Sequence, residues 1–203
     1  MLTDAEVTPV VRSILDSYGL DEIKTGIFAL DIAPADSNDI AALRAVGVAV
    51  TALAEDVPFL QVRCTDVDVC TTDDFARALR PVARNVAWLD LGRTNVGDNI
   101  FGIINDLPHL TRLYLQQTQI TDEGLTSLEG LEFLEYLNLF GTSVGDAGVD
   151  HLADLPALRS LYLWQTSVTD SAVAALQAAA PNLYINTGLS LEPVVTEEPE
   201  ESE

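Results

Sequence analysis

Four aspartates return at a fixed interval, and their side chains could do chemistry. They are Asp98, Asp122, Asp146 and Asp170, each 24 residues from the next. Carboxylates in register could form a calcium ladder or pair as catalytic acids. Each one, however, directly precedes a helix-like stretch, where an Asp side chain caps free backbone N–H groups and meets the positive end of the helix dipole. Because a catalytic acid appears once while a structural acid returns with every unit, we predict that these aspartates cap helices.

Cys64 and Cys70 lie six residues apart, with no histidine nearby. The spacing matches neither a zinc knuckle nor a Cys-x-x-Cys-His haem attachment. In an oxidising compartment the pair could form a disulfide, whereas in the cytosol it would remain two thiols. Because no export signal is visible, we expect reduced thiols, and a thiol titration of the denatured protein distinguishes the two states.

Signatures of catalysis are missing from the sequence. No glycine-rich phosphate loop, nucleophile elbow, zinc motif or kinase signature occurs. His109 and His151 occupy different positions in their units, and neither has a Ser, Cys or acid at catalytic spacing. We therefore predict a protein that is not an enzyme and uses no cofactor and no metal, with both histidines structural or solvent-facing.

The elements that would position these side chains follow from internal repetition. Four segments align without a gap at a period of 24 residues: 85–98, 109–122, 133–146 and 157–170. In each, two leucines alternate at period two, such as Leu89 and Leu91, which predicts a short strand; the second half has helical spacing. One unit cannot cover its own apolar face, so stacked units must bury a shared core. The pattern predicts an α/β solenoid with parallel strands on the concave face and helices on the convex face.

The repeat resembles the leucine-rich repeat family over residues 85–187, which implies four 24-residue repeats and a terminal strand. Threonine stands where many such repeats carry asparagine, at Thr94, Thr118, Thr142 and Thr166, and its hydroxyl can still bond the turn backbone.

The last unit, with Leu-Tyr-Leu-Trp-Gln-Thr-Ser-Val-Thr-Asp, is most similar to ribonuclease-inhibitor-like repeats at the C-terminal end of bacterial membrane c-type cytochrome proteins. That resemblance implies an alternative function, an extracytoplasmic repeat region associated with a haem-bearing membrane electron-transfer protein. Because the chain has no Cys-x-x-Cys-His, it would bind no haem itself.

The regions that flank the repeats are less regular. Residues 1–84 predict three helices and three strands: helices Asp4–Tyr18, Ser37–Val46 and Asp73–Leu79, and strands Ile27–Ile32, Val48–Leu53 and Phe59–Cys64. This alternation indicates an N-terminal helix and degenerate units that cap the solenoid, since an end repeat would otherwise expose its core. Residues 188–203 are rich in Pro and Glu, and we predict a disordered acidic tail.

The charge balance bears on partners and compartment. The chain of 203 residues carries 32 acidic and 10 basic side chains, a formal charge of −22. This disfavours binding to nucleic acid or anionic lipid, and it indicates either a high-salt solvent or a basic partner. No apolar run approaches the roughly 20 residues of a membrane span. Without a visible signal peptide we expect a monomeric cytoplasmic protein, or a periplasmic one if the chain is a piece of a larger membrane protein.

The strand residues that point away from the core carry the functional prediction. Both tryptophans and four further aromatics fall there, although aromatics are only 6% of the chain. Such rings favour interfaces, while the alternative is that they merely stack across strands. We predict a protein-protein interaction module whose partner, of unknown identity, contacts Trp88, Arg112, Tyr114, Tyr136, Phe140, Tyr162 and Trp164. Polar contacts could come from the strand exits at Arg93, Gln117 and Gln165.

Overall fold

A computed structural model describes residues 26–188, and these residues form one seven-stranded sheet. The strands follow one another across the sheet in chain order: β1 Val48–Ala52, β2 Leu60–Cys64, β3 Val86–Asp90, β4 Arg112–Tyr114, β5 Tyr136–Asn138, β6 Ser160–Tyr162 and β7 Tyr184–Asn186. From β2 to β7 every neighbouring pair is parallel, while β1 pairs antiparallel with β2. The predicted parallel solenoid is therefore confirmed from β2 onward.

Short helices connect the strands and form the second layer. They are α1 Ser37–Ala45, α2 Asp73–Leu79, α3 Phe101–Ile104, α4 Asp122–Leu125, α5 Asp146–Val149 and α6 Asp170–Ala179. Additional 3-10 helices are Ile27–Ala29, Val69–Thr71, Arg80–Asn85, Asp98–Ile100, Thr126–Gly130 and Asp150–Asp154. In the second and third units one α-helical turn is followed by a tighter 3-10 turn, whereas the fourth unit contains the ten-residue helix α6. None of the helices within residues 26–188 combines the length and apolar character needed to cross a bilayer.

The core lies between the two layers and is built from the repeated leucines. Leu89, Leu113, Leu137 and Leu161 pair with one another across successive strands, and each is fully buried. Because these four residues share one environment, the units stack into a single solenoid. Burying a leucine side chain contributes about 1.5–3 kcal/mol relative to leaving it exposed.

The threonine column secures the turn at the end of each strand. The hydroxyls donate to the carbonyl oxygens three residues earlier, in the pairs Thr94–Leu91, Thr118–Leu115, Thr142–Leu139 and Thr166–Leu163, at 2.6, 2.6, 2.7 and 2.6 Å. The predicted bond from hydroxyl to turn backbone is thus confirmed. It lies within each unit rather than between units.

The N-terminal cap differs from the prediction in two respects. The strand expected at Ile27–Ile32 is wrong: Ile27–Ala29 is a 3-10 helix whose Ile27 is buried in a small cluster with Phe59. The parallel arrangement also stops at β2, because β1 pairs antiparallel with β2 and forms the edge of the sheet. Strands β1 and β2 and helices α1 and α2 otherwise lie where predicted. The expected helix Asp4–Tyr18 and the expected acidic tail beyond Gly188 lie outside the described residues.

The two cysteines form a disulfide, so the expectation of reduced thiols is wrong. Cys64 ends β2, and the following loop returns Cys70 to within a Cα–Cα distance of 6.2 Å. That separation is within the range a disulfide requires. Both side chains are buried in the core, where the disulfide joins the cap strand to the 3-10 helix Val69–Thr71.

Candidate binding face

The concave face is built from the side chains that alternate with the core leucines. Strand pairing arranges them in two rows that cross strands β3–β7. Row one is Trp88, Arg112, Tyr136, Ser160 and Tyr184, and row two is Asp90, Tyr114, Asn138, Tyr162 and Asn186. A third row, at the strand exits, follows from the same 24-residue spacing and contains Gly92, Gln116, Phe140, Trp164 and Gly188.

The aromatic residues occupy rows one and two in alternation, so each strand contributes one ring. Tyr114, Tyr136, Tyr162 and Tyr184, here called the tyrosine ladder, have successive ring centroids 4.8, 5.1 and 6.2 Å apart. The first two contacts are tilted by 40° and 41°, and the third is edge-to-face at 67°. These distances lie in the favourable range for aromatic pairs, so the rings hold one another in place.

A cation is already held on this face. The guanidinium of Arg112 lies 4.5 Å from the centroid of the Trp88 ring and 5.9 Å from that of Tyr136. Both distances are within reach of a cation–π interaction. The neighbouring ion pair, from Arg63 Nε to Asp90 Oδ2 at 3.4 Å, occupies the N-terminal end of row two.

The third row forms a separate aromatic platform. The rings of Phe140 and Trp164 stack with centroids 5.1 Å apart and planes inclined by 19°. Trp164 lies directly over Gly188, where a Cβ atom would collide with the indole ring. The side chain of Trp164 remains 49% exposed and that of Tyr184 56% exposed. The most accessible aromatic surface therefore lies at the C-terminal end of the face.

Tyr136, in the middle of the tyrosine ladder, is half-buried. Burial raises the pKa of Tyr136 from its ordinary value of 10.0 to about 12, with smaller contributions in the same direction from Tyr114 and Tyr162. Tyr136 is therefore a neutral phenol throughout the physiological pH range. It presents a hydroxyl that can donate or accept a hydrogen bond.

The polar residues at the strand exits have an unusual backbone conformation. Arg93, Gln117 and Gln165 adopt positive φ angles of 62°, 54° and 55°, and Gly141 occupies the same position of its unit with φ 66°. All three side chains are exposed at the rim beside the third row. Because non-glycine residues seldom adopt this conformation, the repeated turn is a distinctive feature of the face.

Three members of the aspartate column, Asp98, Asp122 and Asp146, do not cap their own helices as expected. Oδ1 and Oδ2 of Asp98 accept from N–H and Oγ1–H of Thr121 at 2.9 and 2.6 Å. Asp146 binds Thr169 in the same way at 2.7 and 2.8 Å, and Asp122 Oδ1 accepts from the N–H of Gly145 at 2.6 Å. We call these three acids the aspartate ladder.

The aspartate ladder is an inter-repeat structure. Each acid is the first residue of its own helix and reaches the residue that precedes the helix of the next unit. The side-chain caps come instead from Thr121 and Thr169, which accept from Glu123 N–H and Ala172 N–H. Within residues 26–188 no cluster of three or more His, Cys, Asp or Glu side chains could hold a metal ion.

His109 has a structural position, one of the two alternatives expected for it. Its Nδ1–H donates to the carbonyl oxygen of Arg84 at 2.6 Å, and its ring lies edge-on between Phe59 and Phe133, 6.1 Å from each. The side chain is buried at the strand starts, away from the rows of the concave face. It therefore stabilises the stack of units rather than the candidate site.

One residue of the face was missed in the sequence. Tyr184 lies in β7 and completes row one, although only a short terminal strand was predicted there. Its signal was available, because Tyr184 stands 48 residues after Tyr136 and 96 after Trp88. Comparing units two apart, rather than each with the next, would have found it.

A second concavity lies on the convex side between α1 and α2. This groove has a volume of about 660 Å³ and is lined largely by small side chains. Its charged lining residues are Asp39, Asp74 and Arg77, of which the last two form an exposed ion pair at 2.8 Å. The groove offers an ion pair and alanine surface, whereas the concave face offers the ordered rings.

Comparisons with known proteins identify the repeat. The family model of the leucine-rich repeat matches residues 106–128 and 130–153. No curated protein matches the chain. The solved structures similar to it include an internalin from Listeria monocytogenes, which is 22% identical with a TM-score of 0.46, the match covering 63% of this chain and 39% of that one.

Two other solved structures are similar over part of the chain. Actin-binding site 2 of leiomodin-1 is 15% identical with a TM-score of 0.45, covering 72% of this chain and 90% of that one. A leucine-rich-repeat protein of Leptospira interrogans is 16% identical with a TM-score of 0.37, covering 53% and 33%. The chain spans about two fifths of the length of the Listeria internalin, where the match covers 39%.

Proposed function

We propose that this leucine-rich-repeat chain is a non-catalytic protein-protein interaction module that binds its partner through the aromatic concave face. The observation that carries the proposal is the unbroken run of tyrosine rings across strands β4–β7, which ends in the exposed Tyr184, together with the exposed Trp164 of the third row. Tyr and Trp are the residues that most often dominate binding energy at protein interfaces. Leucine-rich repeats commonly serve as protein-binding modules, which supports the same assignment.

Preorganisation explains how the face would bind. Each ring sits on a hydrogen-bonded strand and contacts the ring of the next strand, so few rotamers remain to be lost when a partner binds. With adjacent strands about 4.8 Å apart, the face is about 19 Å long from β3 to β7. The central contacts are Tyr162, Trp164 and Phe140, with Tyr114 and Tyr136 beside them. Trp88 and Arg112 form the N-terminal edge.

The competing interpretation is that the rings only stabilise the sheet by stacking. It accounts for Tyr114, Tyr136 and Tyr162, which are half-buried and whose rings contact one another. It does not account for Trp164 and Tyr184, because about half of each side chain faces solvent. Large aromatics that remain exposed on one face are typical of binding surfaces.

The test is affinity capture from the native extract with wild-type protein and a Tyr162→Ala/Trp164→Ala variant. A matched control is Phe28→Ala, which removes an exposed aromatic outside the concave face. We expect the affinity of the double variant for the partner to fall by a factor of at least about 30, since one interface hot spot contributes about 2 kcal/mol or more to the binding free energy. Circular dichroism of all three proteins verifies folding. Equal capture by the double variant and the wild type would remove the concave face as the binding surface.

A second proposal concerns the compartment and follows from the disulfide. Disulfides persist mainly in oxidising compartments, so the bond between Cys64 and Cys70 favours an extracytoplasmic position. This supports the alternative that the chain is a repeat region associated with a haem-bearing membrane electron-transfer protein, itself without haem. Alkylation of the protein in its native source, followed by mass spectrometry, is expected to find both cysteines protected. Two alkylated thiols would contradict the proposal.

A further inference from the structure

Resting on the proposed function, we infer that the concave face recognises a basic segment of its partner. The segment would insert a guanidinium or ammonium group into a notch at Ser160, between the rings of Tyr136 and Tyr184. At the notch, row one places a serine between two rings, where two units earlier it places an arginine.

Arg112 provides the internal precedent for such a site. It lies in row one between Trp88 and Tyr136, its partners in the neighbouring strands, and its guanidinium lies over both rings. The geometry of this face therefore already accommodates a planar cation between aromatic residues two strands apart. Aromatic rings attract cations through their quadrupole, most strongly where water is partly excluded.

Ser160 occupies the equivalent position two units further along the chain. It pairs with Tyr136 on one side and Tyr184 on the other, as Arg112 pairs with Trp88 and Tyr136. Its side chain ends at a hydroxyl, so no long side chain from this position covers the two rings. Tyr162, which contacts both Tyr136 and Tyr184, provides the third wall, at centroid distances of 5.1 and 6.2 Å.

The correspondence rests on a period of two units, or 48 residues, along the rows. In row one, rings at Trp88, Tyr136 and Tyr184 alternate with the non-aromatic Arg112 and Ser160. Row two has the opposite alternation, with Tyr114 and Tyr162 in the units where row one has no ring. The environment of Arg112 is therefore reproduced around Ser160 with the arginine replaced by serine.

Charge complementarity selects a cation rather than a neutral or acidic group. Residues 85–187 carry 12 acidic and 3 basic side chains, and the whole chain has a formal charge of −22. A field of that sign attracts basic segments and repels acidic ones, and salt screens it. Within the notch, a partner cation would meet the rings of Tyr136, Tyr162 and Tyr184, and the cation of row one, Arg112, lies on the other side of Tyr136 towards Trp88.

The experiment uses the full chain and two synthetic fluorescein-labelled peptides of alternating serine and arginine, or of serine and citrulline. Citrulline has nearly the shape of arginine but no charge. We expect the arginine peptide to bind about fivefold to thirtyfold more tightly in fluorescence polarisation, as a cation–π contact predicts. The preference should shrink in high salt. Equal affinity of the two peptides would overturn the inference.

A substitution tests the position of the notch. Ser160→Arg would place a tethered guanidinium in it, as Arg112 does two units earlier, and should reduce binding of the arginine peptide by the same factor. Ala175→Arg is the matched control, because it adds the same charge at an exposed position of α6 in the helix layer. If Ser160→Arg and Ala175→Arg weaken binding of the arginine peptide equally, the loss comes from the added positive charge alone, and the proposed cation site at Ser160 is wrong.

The two proposals fail separately. If Tyr162→Ala/Trp164→Ala loses its partner while the arginine and citrulline peptides bind alike, the interaction face stands and the cation notch is wrong. If partner capture is unchanged in that double variant but arginine is preferred and Ser160→Arg abolishes the preference, the notch is a cation site and the proposed function is wrong.

Discussion

Removal of one acid of the aspartate ladder tests whether these side chains join neighbouring repeats. In Asp98→Ala the two hydrogen bonds to Thr121 are lost, from a backbone N–H at 2.9 Å and a hydroxyl at 2.6 Å. The N–H of Thr121 precedes α4 and has no helical partner within its own unit. The variant therefore removes a contact between units while leaving every core leucine in place.

The magnitude follows from the two bonds. Hydrogen bonds to a charged group contribute about 1.5–3 kcal/mol each when isolated. The two share one half-buried carboxylate, so their joint loss should lower the free energy of unfolding by about 2–3 kcal/mol. For a chain of this size, one kcal/mol corresponds to a change in Tm of about 2–4 °C. We expect Asp98→Ala to melt roughly 5–10 °C below the wild type.

The assays are thermal and urea unfolding followed by circular dichroism, with two controls. Asp154→Ala removes the same charge from an exposed position. It therefore measures how much stability changes merely because the net negative charge of the chain is reduced, apart from the hydrogen bonds of the aspartate ladder. A double-mutant cycle with Thr121→Val measures the coupling, for which we expect at least about 1 kcal/mol. If Asp98 instead capped its own helix, the coupling to Thr121 would vanish. A loss no larger than that of Asp154→Ala would refute the ladder altogether.

Two further predictions concern the backbone turn and the tyrosine ladder. Gly141→Ala should lower the free energy of unfolding by about 1–2 kcal/mol, because φ at this residue is 66° and the new Cβ would lie 3.3 Å from Gln117 Cγ. Urea unfolding measures the change. An unchanged midpoint concentration of urea would contradict the prediction. Burial, and then the neighbouring Tyr114 and Tyr162, raise the pKa of Tyr136 in the folded protein to about 12. In the unfolded chain the same phenol loses its proton near pH 10.0. The contribution of Tyr136 to the free energy of unfolding is therefore complete below pH 10 and declines between pH 10 and 12. Tyr136→Phe should remove that part of the alkaline decline and a phenolate step near pH 12 in the absorbance titration at the phenolate band, and persistence of both would show that another group is responsible.

The solenoid could be predicted because every unit repeats the pattern of apolar residues that produces it. Leu89 and its counterparts at 24-residue intervals specify the strand, the buried face and the neighbour in one pattern. The antiparallel β1 could not be predicted, because a single alternating segment has the same pattern in either strand direction. Ile27 was misassigned for a related reason: its burial against Phe59 comes from a tertiary contact rather than from strand pairing.

The candidate face was predicted in part. Period two correctly placed the aromatic side chains opposite the leucines, and strand pairing then fixed which ones are neighbours. The role of Asp98 could not be predicted from its neighbours in the sequence, because its partner Thr121 is 23 residues away and belongs to another unit. A capping rule considers only the helix that follows the acid.

The alternation of rings between rows one and two has a geometric reason. Strands in a sheet are about 4.8 Å apart, so neighbouring rings in one row stack nearly parallel, as Phe140 and Trp164 do at 19° in the third row. Moving every second ring to the other row gives the tilted contacts of 40° and 41° seen along the tyrosine ladder. Each ring thereby leaves a non-aromatic position beside it, and the residue there decides what the rings can bind. Arg112 fills its position with a cation, whereas Ser160 leaves its rings to a partner, so selectivity should reside in these intervening residues rather than in the rings themselves.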